Sequence, residues 1–262
     1  MLLAVDVGNS NIVFGLFSGE ALMGSFRMMT NEQRTSDEIG LTICQYFRWR
    51  NLEPTAVEDI VIASVVPPVM PMLSKALVDY MGKQPLIVDD TIFPEIRYEA
   101  NERLGADRAV ACDAAMALYG KPLIVLDFGT ATTVDAVDQD GWYLGGSILA
   151  GPRTALEALS TKAAALPRVE LAHPGTVLGT TAVSQIQAGA LVGYLGAIER
   201  LIRDTRREMG YGDAVKVVST GGLARLIAAH TDMIDVVDDQ LILKGLRIIY
   251  DKYKLRSPAG PE

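Results

Sequence analysis

One pattern occurs twice in the chain and restricts its fold more than any other feature. An apolar run ends in an aspartate, which is followed by one apolar residue, a glycine and small polar residues. The first copy is LLAVDVGNSN at residues 2–11, and the second is LIVLDFGTAT at residues 123–132. β-rich sequence follows both copies, so each predicts a strand, a polar turn and a second strand. Recurrence with the same flanking pattern indicates two duplicated halves.

The rest of the chain predicts alternating helices and strands, which is typical of an α/β fold. TSDE at residues 35–38 has capping-box spacing and predicts a helix to about residue 48. Because a strand follows the first glycine turn, the Rossmann and P-loop folds, which need a helix there, are disfavoured.

The boundary between the halves is expected near YGKP at residues 119–122. This gives an N-terminal domain at 1–118 and a C-terminal domain at 119–262. A final helix at about 239–254 is predicted, and it could pack on either half.

Composition and charge argue against several classes of protein. A net charge of -8 and a pI near 4.9 disfavour nucleic-acid binding, which needs clustered lysine and arginine. Cys44 and Cys112 belong to no metal-binding or disulfide motif, which fits a reducing cytoplasm. The sequence predicts no signal peptide, and its longest apolar stretch, residues 60–70, is too short to span a membrane.

The first turn, DVGNSN at residues 6–11, is a candidate phosphate-binding turn. The chain contains neither GxxxxGK[ST] nor GxGxxG, so any phosphate must be held in another way. Gly8 allows the main chain to approach a phosphate, and the neighbouring Asn and Ser supply N–H and O–H donors. Asp6 would hold Mg²⁺ through water. The alternative is an ordinary hairpin turn, but the second copy at Asp127 favours a functional pair.

Other segments are weaker candidates when each is taken alone. TGG at residues 220–222 either admits a flat ring or phosphate near the main chain or is a tight strand–helix turn. Asp107 and Arg108 open an Ala-rich helix, where an aspartate most often serves the helix dipole. His173 and His230 have no partner at ligand spacing, so loop or surface roles are expected.

Taken together, these segments resemble the type III pantothenate kinases of the actin-like superfamily, which also includes sugar kinases and heat-shock chaperones. The resemblance covers nearly the whole chain and rests on the order and spacing of short motifs. The family usually has a proline where this chain has Ala150. The motifs are DVGNSN at 6–11, GADR at 105–108, DFGTATT at 127–133, GWYLGG at 141–146, ALP at 165–167, GTT at 179–181 and TGG at 220–222.

The resemblance implies a fold, an activity and an assembly. The fold would be α/β, with two duplicated actin-like (ribonuclease H-like) domains whose mixed sheets are flanked by helices. The activity would be ATP-dependent phosphorylation of pantothenate to 4'-phosphopantothenate, the first step of coenzyme A biosynthesis. It would require Mg²⁺ and a monovalent cation, K⁺ or NH₄⁺. The protein would be an obligate homodimer with substrate bound near the subunit interface.

The resemblance also implies roles for individual residues. Asp107 would be the base that takes the proton from the pantothenate hydroxyl, and Asp127 would ligate the monovalent cation. The ATP site would comprise Asp6, Val7, Gly8, Asn9, Ser10, Asn11, Ile12, Val13 and Thr130. The pantothenate site would comprise Tyr98, Gly105, Ala106, Asp107, Arg108 and Thr181.

Two other functions are weighed against this one. The first is a regulatory protein of the same fold that acts in transcription without catalysis, but the intact Asp6, Asp107 and Asp127 favour an enzyme. The second is another actin-like kinase, for a sugar or for acetate. A sugar kinase is commonly much longer, and GADR is not its signature.

The predicted helix at residues 181–209 is a candidate for the subunit interface of the homodimer. Its apolar residues recur at helical spacing, so they are expected either in a core or at a subunit interface. The resemblance favours the interface. These residues are Ala188, Leu191, Val192, Leu195 and Ile198.

Overall fold

A computed structural model describes residues 1–89, 95–98 and 104–256. The chain divides into two compact units, which are Met1–Ala114 together with the residues from Gln240 on, and Ala115–Asp239. In the described residues each unit is built on a five-stranded mixed sheet flanked by helices. None of the described helices is both long enough and apolar enough to cross a membrane.

The first sheet has the order β3-β2-β1-β4-β5. β1 pairs antiparallel with β2, and β2 with β3, whereas β4 runs parallel to both β1 and β5. Its strands are Leu2–Val7 (β1), Asn11–Ser18 (β2), Ala21–Met29 (β3), Asp59–Ser64 (β4) and Leu86–Ile87 (β5).

The central strand β1 is almost continuously apolar because both of its faces are covered. Side chains alternate between the faces, so Leu3 and Val5 pack on one side with helices α1 (Ser36–Trp49) and α2 (Met70–Met81). Leu2 and Ala4 pack on the other side with helices α3 (Ala106–Tyr119) and α8 (Leu241–Arg256). The final helix α8 thus belongs to the first unit.

The capping box predicted before α1 is confirmed. The Glu38 N–H donates to Thr35 Oγ1 at 3.2 Å, and the Thr35 N–H donates to Glu38 Oε2 at 2.8 Å. Two of the main-chain donors left unpaired at the start of a helix are satisfied in this way.

The second sheet repeats the first, with the order β10-β9-β6-β7-β8. β6, β7 and β8 form an antiparallel meander, and β9 runs parallel to β6 and β10. The predicted duplication of strand, turn and strand is therefore confirmed. The strands are Leu123–Phe128 (β6), Ala131–Val137 (β7), Tyr143–Ala150 (β8), Lys216–Thr220 (β9) and Val236–Val237 (β10). The helices are Pro152–Lys162 (α4), Ala182–Gln187 (α5), Tyr194–Met209 (α6) and Ala224–Ala228 (α7).

The region predicted as one long helix contains a change of helix type. A π-helical segment, Ala188–Gly193, separates α5 from α6. Leu191 and Ile198 are fully buried in the core of the second unit, and Leu195 is also buried there. The interpretation of this apolar face as a subunit interface is wrong, because the β6–β9 sheet already covers it.

Gly245 allows α8 to approach α3 within the first unit. A Cβ atom at this position would lie 2.8 Å from Val110 Cγ1, 2.8 Å from the Val110 carbonyl oxygen and 3.0 Å from Ala114 Cβ. Two of these atoms are fixed by the backbone of α3, so an added methyl group forces the helices apart.

We expect Gly245→Ala to lower the free energy of unfolding by about 1–3 kcal/mol, the usual range for overpacking. The matched control is Gly196→Ala on the exposed side of α6, where no atom lies within 4 Å of the added Cβ. The control should raise the free energy of unfolding by about 0.5–1 kcal/mol, because alanine restricts the unfolded chain. Thermal unfolding of both variants checks the signs, and equal shifts would contradict this account of α3–α8 packing.

Candidate active site

The turn between β1 and β2 is held in shape by Thr30, which follows β3. The Gly8 N–H donates to the Asn11 carbonyl at 3.0 Å, and Thr30 Oγ1 donates to the Gly8 carbonyl at 2.6 Å. The Thr30 N–H donates to the Ser10 carbonyl at 3.0 Å. Asn9 and Ser10 are exposed, so the turn presents polar groups on a fixed backbone. No local sequence pattern points to Thr30, whose only signal is its place at the end of the meander.

Asp6 lies at the carboxyl end of β1 and is half-buried. By strand alternation it shares the face of Leu2 and Ala4, which α3 and α8 cover. Ile12 is 1% exposed and belongs to the core, and its main chain lies in the sheet between β1 and β3.

Asp107 lies in the first turn of α3, and its Oδ1 accepts the Arg108 N–H at 2.8 Å. A Cβ at Gly105 would lie 2.8 Å from this oxygen and 3.9 Å from Val65 Cγ1. The Val65 N–H in turn donates to the Val7 carbonyl at 3.1 Å. The start of α3 therefore lies beside the carboxyl ends of β1 and β4, which brings Asp107 to the same edge of the sheet as the first turn.

The second turn, between β6 and β7, is fixed by the start of α4. The Gly129 N–H donates to the Ala131 carbonyl at 3.1 Å, and the Thr130 carbonyl accepts from the Gly151 N–H at 2.9 Å. Thr154 Oγ1 also donates to the Thr130 carbonyl, at 2.7 Å. A Cβ at Gly151 would lie 2.2 Å from the Gly129 carbonyl oxygen, so only glycine fits there.

Ala150, the departure from the family pattern, lies in the last position of β8. It is paired with Ala131, so the strand keeps its register up to Gly151 without the usual proline.

Tyr194 on α6 supports the two strand ends that flank the second turn, and no local sequence pattern points to it either. Its hydroxyl is hydrogen-bonded to Thr132 Oγ1 at 2.5 Å in a buried position, and its ring packs edge-on against Phe128. Burial raises the pKa of Tyr194 to about 12, although the hydrogen bond between Tyr194 and Thr132 opposes the shift. The hydroxyl therefore stays protonated, and its role is to hold Thr132 in place through a neutral hydrogen bond.

Gly221 is packed directly against Asp127. The parallel register of β6 and β9 pairs Asp127 with Thr220, and a Cβ at Gly221 would lie 2.3 Å from Asp127 Oδ1. Gly221 also has φ +90, which L side chains rarely adopt. At Gly222 no atom lies within 4 Å of an added Cβ, so the turn leaves open space beside its main chain.

The remaining candidate residues lie on other elements. Tyr98 belongs to the segment 95–98 of the first unit, which is attached to α3 through a hydrogen bond between the Glu95 N–H and Asp113 Oδ1. Thr181 caps α5 in the second unit, where its Oγ1 accepts the Ser184 N–H at 3.2 Å.

The candidate residues thus form two sets, one in each unit. The first unit joins the β1–β2 turn to the start of α3, and the second joins the β6–β7 turn to the Gly221 turn. Among the described residues no three His, Cys, Asp or Glu side chains are grouped to hold a metal ion.

Comparison with known proteins identifies the family. The model for type III pantothenate kinases matches residues 2–204. The chain belongs to the type III pantothenate kinase family. It is 44% identical over 254 residues to a type III pantothenate kinase of Moorella thermoacetica, covering 96% of this chain and 99% of that one. The chain is a kinase that phosphorylates pantothenate in coenzyme A biosynthesis, as the sequence predicts, and a kinase of this family uses ATP with a divalent metal ion.

Solved structures show the same fold at low sequence identity. A proposed Baf family transcriptional activator from Campylobacter jejuni has a TM-score of 0.58 and 22% identity, covering 97% of this chain and 99% of that one. A proposed 2-dehydro-3-deoxygalactonokinase from Sinorhizobium meliloti has a TM-score of 0.55 and 14% identity, covering 100% and 99%. The predicted actin-like α/β fold class is confirmed. At these identities the likeness shows the fold alone, so it does not favour the transcriptional alternative.

We expect Gly221→Ala to lower kcat for pantothenate phosphorylation by about 100-fold, because the new methyl group displaces the Asp127 carboxylate and a misplacement of about 1 Å can have this effect. Gly210→Ala is the matched control, since Gly210 also has positive φ but no atom within 4 Å of the added Cβ. The control should lose stability and keep its turnover. Steady-state kinetics on both folded variants checks this, and wild-type kcat in Gly221→Ala would contradict the role of the contact.

Proposed function

We propose that Asp107 is the general base that takes the proton from the pantothenate hydroxyl as the hydroxyl oxygen attacks the γ-phosphorus of ATP and the bond from that phosphorus to the leaving ADP breaks. The observation that carries this proposal is the position of Gly105, where a Cβ would lie 2.8 Å from Asp107 Oδ1 and 3.9 Å from Val65 Cγ1. Since the Val65 N–H donates to the Val7 carbonyl, these distances support a place for the carboxylate near the first turn. Phosphoryl transfer depends mainly on positioning and charge stabilisation, so one placed carboxylate and donor-rich turns suffice.

The first turn and the start of β2 bind the phosphates of ATP in this proposal. The residues involved are Asp6 to Val13, and Thr130 of the second turn is also proposed to contact ATP. The fixed backbone around Gly8 and the exposed Asn9 and Ser10 side chains supply donors. Asp6 would hold Mg²⁺ through water, and the ion would neutralise phosphate charge.

Asp127 ligates a monovalent cation, K⁺ or NH₄⁺, in this proposal. Its carboxylate lies at the end of β6 beside the Gly221 turn. Since no cluster of three ligating side chains occurs in residues 1–89, 95–98 and 104–256, further ligands for K⁺ would come from main-chain carbonyls, substrate or water.

The pantothenate site comprises Tyr98, Gly105, Ala106, Arg108 and Thr181 together with Asp107. Arg108 follows the base directly and is half-buried at the start of α3. Its guanidinium offers paired donors for a carboxylate, which pantothenate carries.

A homodimer in the cytoplasm completes the proposal. Edge strand β8 exposes Leu144 and Ile148 on one face, at 52% and 64%, and the same unit has an apolar groove lined by Leu159 on α4 and Ile186 on α5. An exposed apolar edge strand in a monomer promotes association. The exposed face of β8, rather than the buried face of α6, is the proposed subunit interface.

The two thiols of the chain support the cytoplasmic location. Cys112 is buried and Cys44 is half-buried, and neither forms a disulfide in the described residues. Free cysteines are typical of a reducing compartment.

Asp107→Asn should lower turnover by about 100-fold or more, the usual effect of losing a general base, while the fold is retained. Asp37→Asn is the matched control, because Asp37 also lies in the first turn of a helix, α1. An ADP-release assay with saturating ATP and pantothenate measures both variants. Turnover near the wild-type rate in Asp107→Asn would remove Asp107 from the mechanism.

The wild-type protein should sediment as a dimer at micromolar concentration, and Ile148→Lys should sediment as a monomer with most of its turnover lost. A charge in place of an exposed apolar side chain opposes its burial in an interface. Leu41→Lys on α1, where Leu41 is 55% exposed, is the control and should remain dimeric. A wild-type monomer that works at full rate would refute the proposed interface.

A further inference from the structure

Asp113 is a buried carboxylate on α3 that the catalytic proposal does not use. It is 2% exposed, and its Oδ1 accepts the Glu95 N–H at 2.7 Å. Its Oδ2 has no hydrogen-bond donor among the described residues. Burial raises the pKa of Asp113, and Lys252 partly opposes this shift. The neighbouring residues Val110 and Ala114 of this helix are buried and apolar. Burying a carboxylate at Asp113 costs more free energy than burying an apolar side chain there.

Lys252 on α8 links this carboxylate to the segment 95–98. Its Nζ lies 3.0 Å from Glu95 Oε2 and 3.8 Å from Asp113 Oδ2. Arg256, one turn further along α8, lies 3.4 Å from Glu95 Oε1. Glu95 is therefore held at its main chain by α3 and at its side chain by α8.

Tyr98 lies close to Glu95, the residue that attaches the segment 95–98 to α3 and α8. It is three residues from Glu95, which limits the separation of their Cα atoms to about 10 Å. Ile96, between them, is 5% exposed, so the segment is also held by packing. Asp113 lies six residues beyond Asp107, about 9 Å along the axis of the same helix. One rigid helix thus carries both the proposed base and the attachment of the segment with Tyr98.

We propose that Asp113 and Lys252 are positioning residues that set the place of Tyr98 in the pantothenate site. This inference rests on the proposed function, in which Tyr98 contacts pantothenate. It gives α8 a part in substrate binding, although α8 contains none of the candidate site residues. Neither Asp113 nor Lys252 needs to contact the reacting atoms.

The test separates positioning from general stability. Lys252→Met should raise KM for pantothenate by about 10-fold and leave kcat and KM for ATP within about two-fold, the pattern expected when only substrate binding weakens. Lys252→Arg keeps the charge and should restore KM. Lys254→Met is the matched control, because Lys254 lies on the same helix and pairs with Asp59 at 3.2 Å, away from Glu95. It should leave all three constants unchanged.

Hydrogen exchange provides a readout that does not depend on turnover. Amide exchange in the peptide containing Glu95 should be several-fold faster in Lys252→Met than in the wild type or Lys254→Met. Asp113→Ala should show the same increase if it folds, and Lys252→Met carries the test if it does not. Unchanged exchange in Lys252→Met, or the same KM as in Lys254→Met, overturns the proposal.

The outcomes also distinguish this proposal from the one it rests on. A wild-type protein without pantothenate-dependent turnover refutes the pantothenate site and this proposal with it. Normal wild-type turnover together with an unchanged KM in Lys252→Met refutes this proposal alone.

Discussion

The carboxyl ends of the two central strands, β1 and β6, are the positions on which the rest of the structure depends. Each strand has an aspartate, Asp6 or Asp127, as its last residue but one, just before a short turn into an antiparallel partner. Each also has a parallel neighbour that ends at the same edge. Parallel strands bring segments that are distant in sequence to one edge of a sheet, which is where α/β proteins bind ligands. Val65 follows β4 and Gly221 follows β9, so the parallel pairing brings them to the edges that carry Asp6 and Asp127.

The two turns of the second unit also require glycine at positions where the main chain lies close to an oxygen of a neighbouring segment. At Gly151 and Gly221 an added Cβ would lie 2.2–2.3 Å from a carbonyl or carboxylate oxygen of the neighbouring turn. No side chain fits at these two positions, so the neighbouring segments can pack main chain against oxygen with no apolar side chain between them. The open position at Gly222 is the place where the same turn can admit a ligand.

Local sequence patterns were sufficient for the duplicated strand–turn–strand units and for the capping box at Thr35. They also pointed to Asp6 and Asp127, because each lies near the end of a strand before a polar turn. Asp107, in the first turn of α3, was singled out by the family resemblance instead. Contacts between distant segments could not be predicted. Thr30 on the first turn, Tyr194 beneath the second and Lys252 beside Glu95 all depend on tertiary packing. The apolar face of α6 was misinterpreted because helical periodicity is the same in a core and at an interface.

The most direct test of the account is a coupled ADP-release assay on the wild-type protein with ATP, Mg²⁺ and pantothenate, run in parallel in K⁺ and in Na⁺. The family predicts ADP release that requires pantothenate, and the proposed ligation of a monovalent cation by Asp127 predicts release that is much faster in K⁺. ADP release that does not depend on pantothenate, or equal rates in K⁺ and Na⁺, would contradict it.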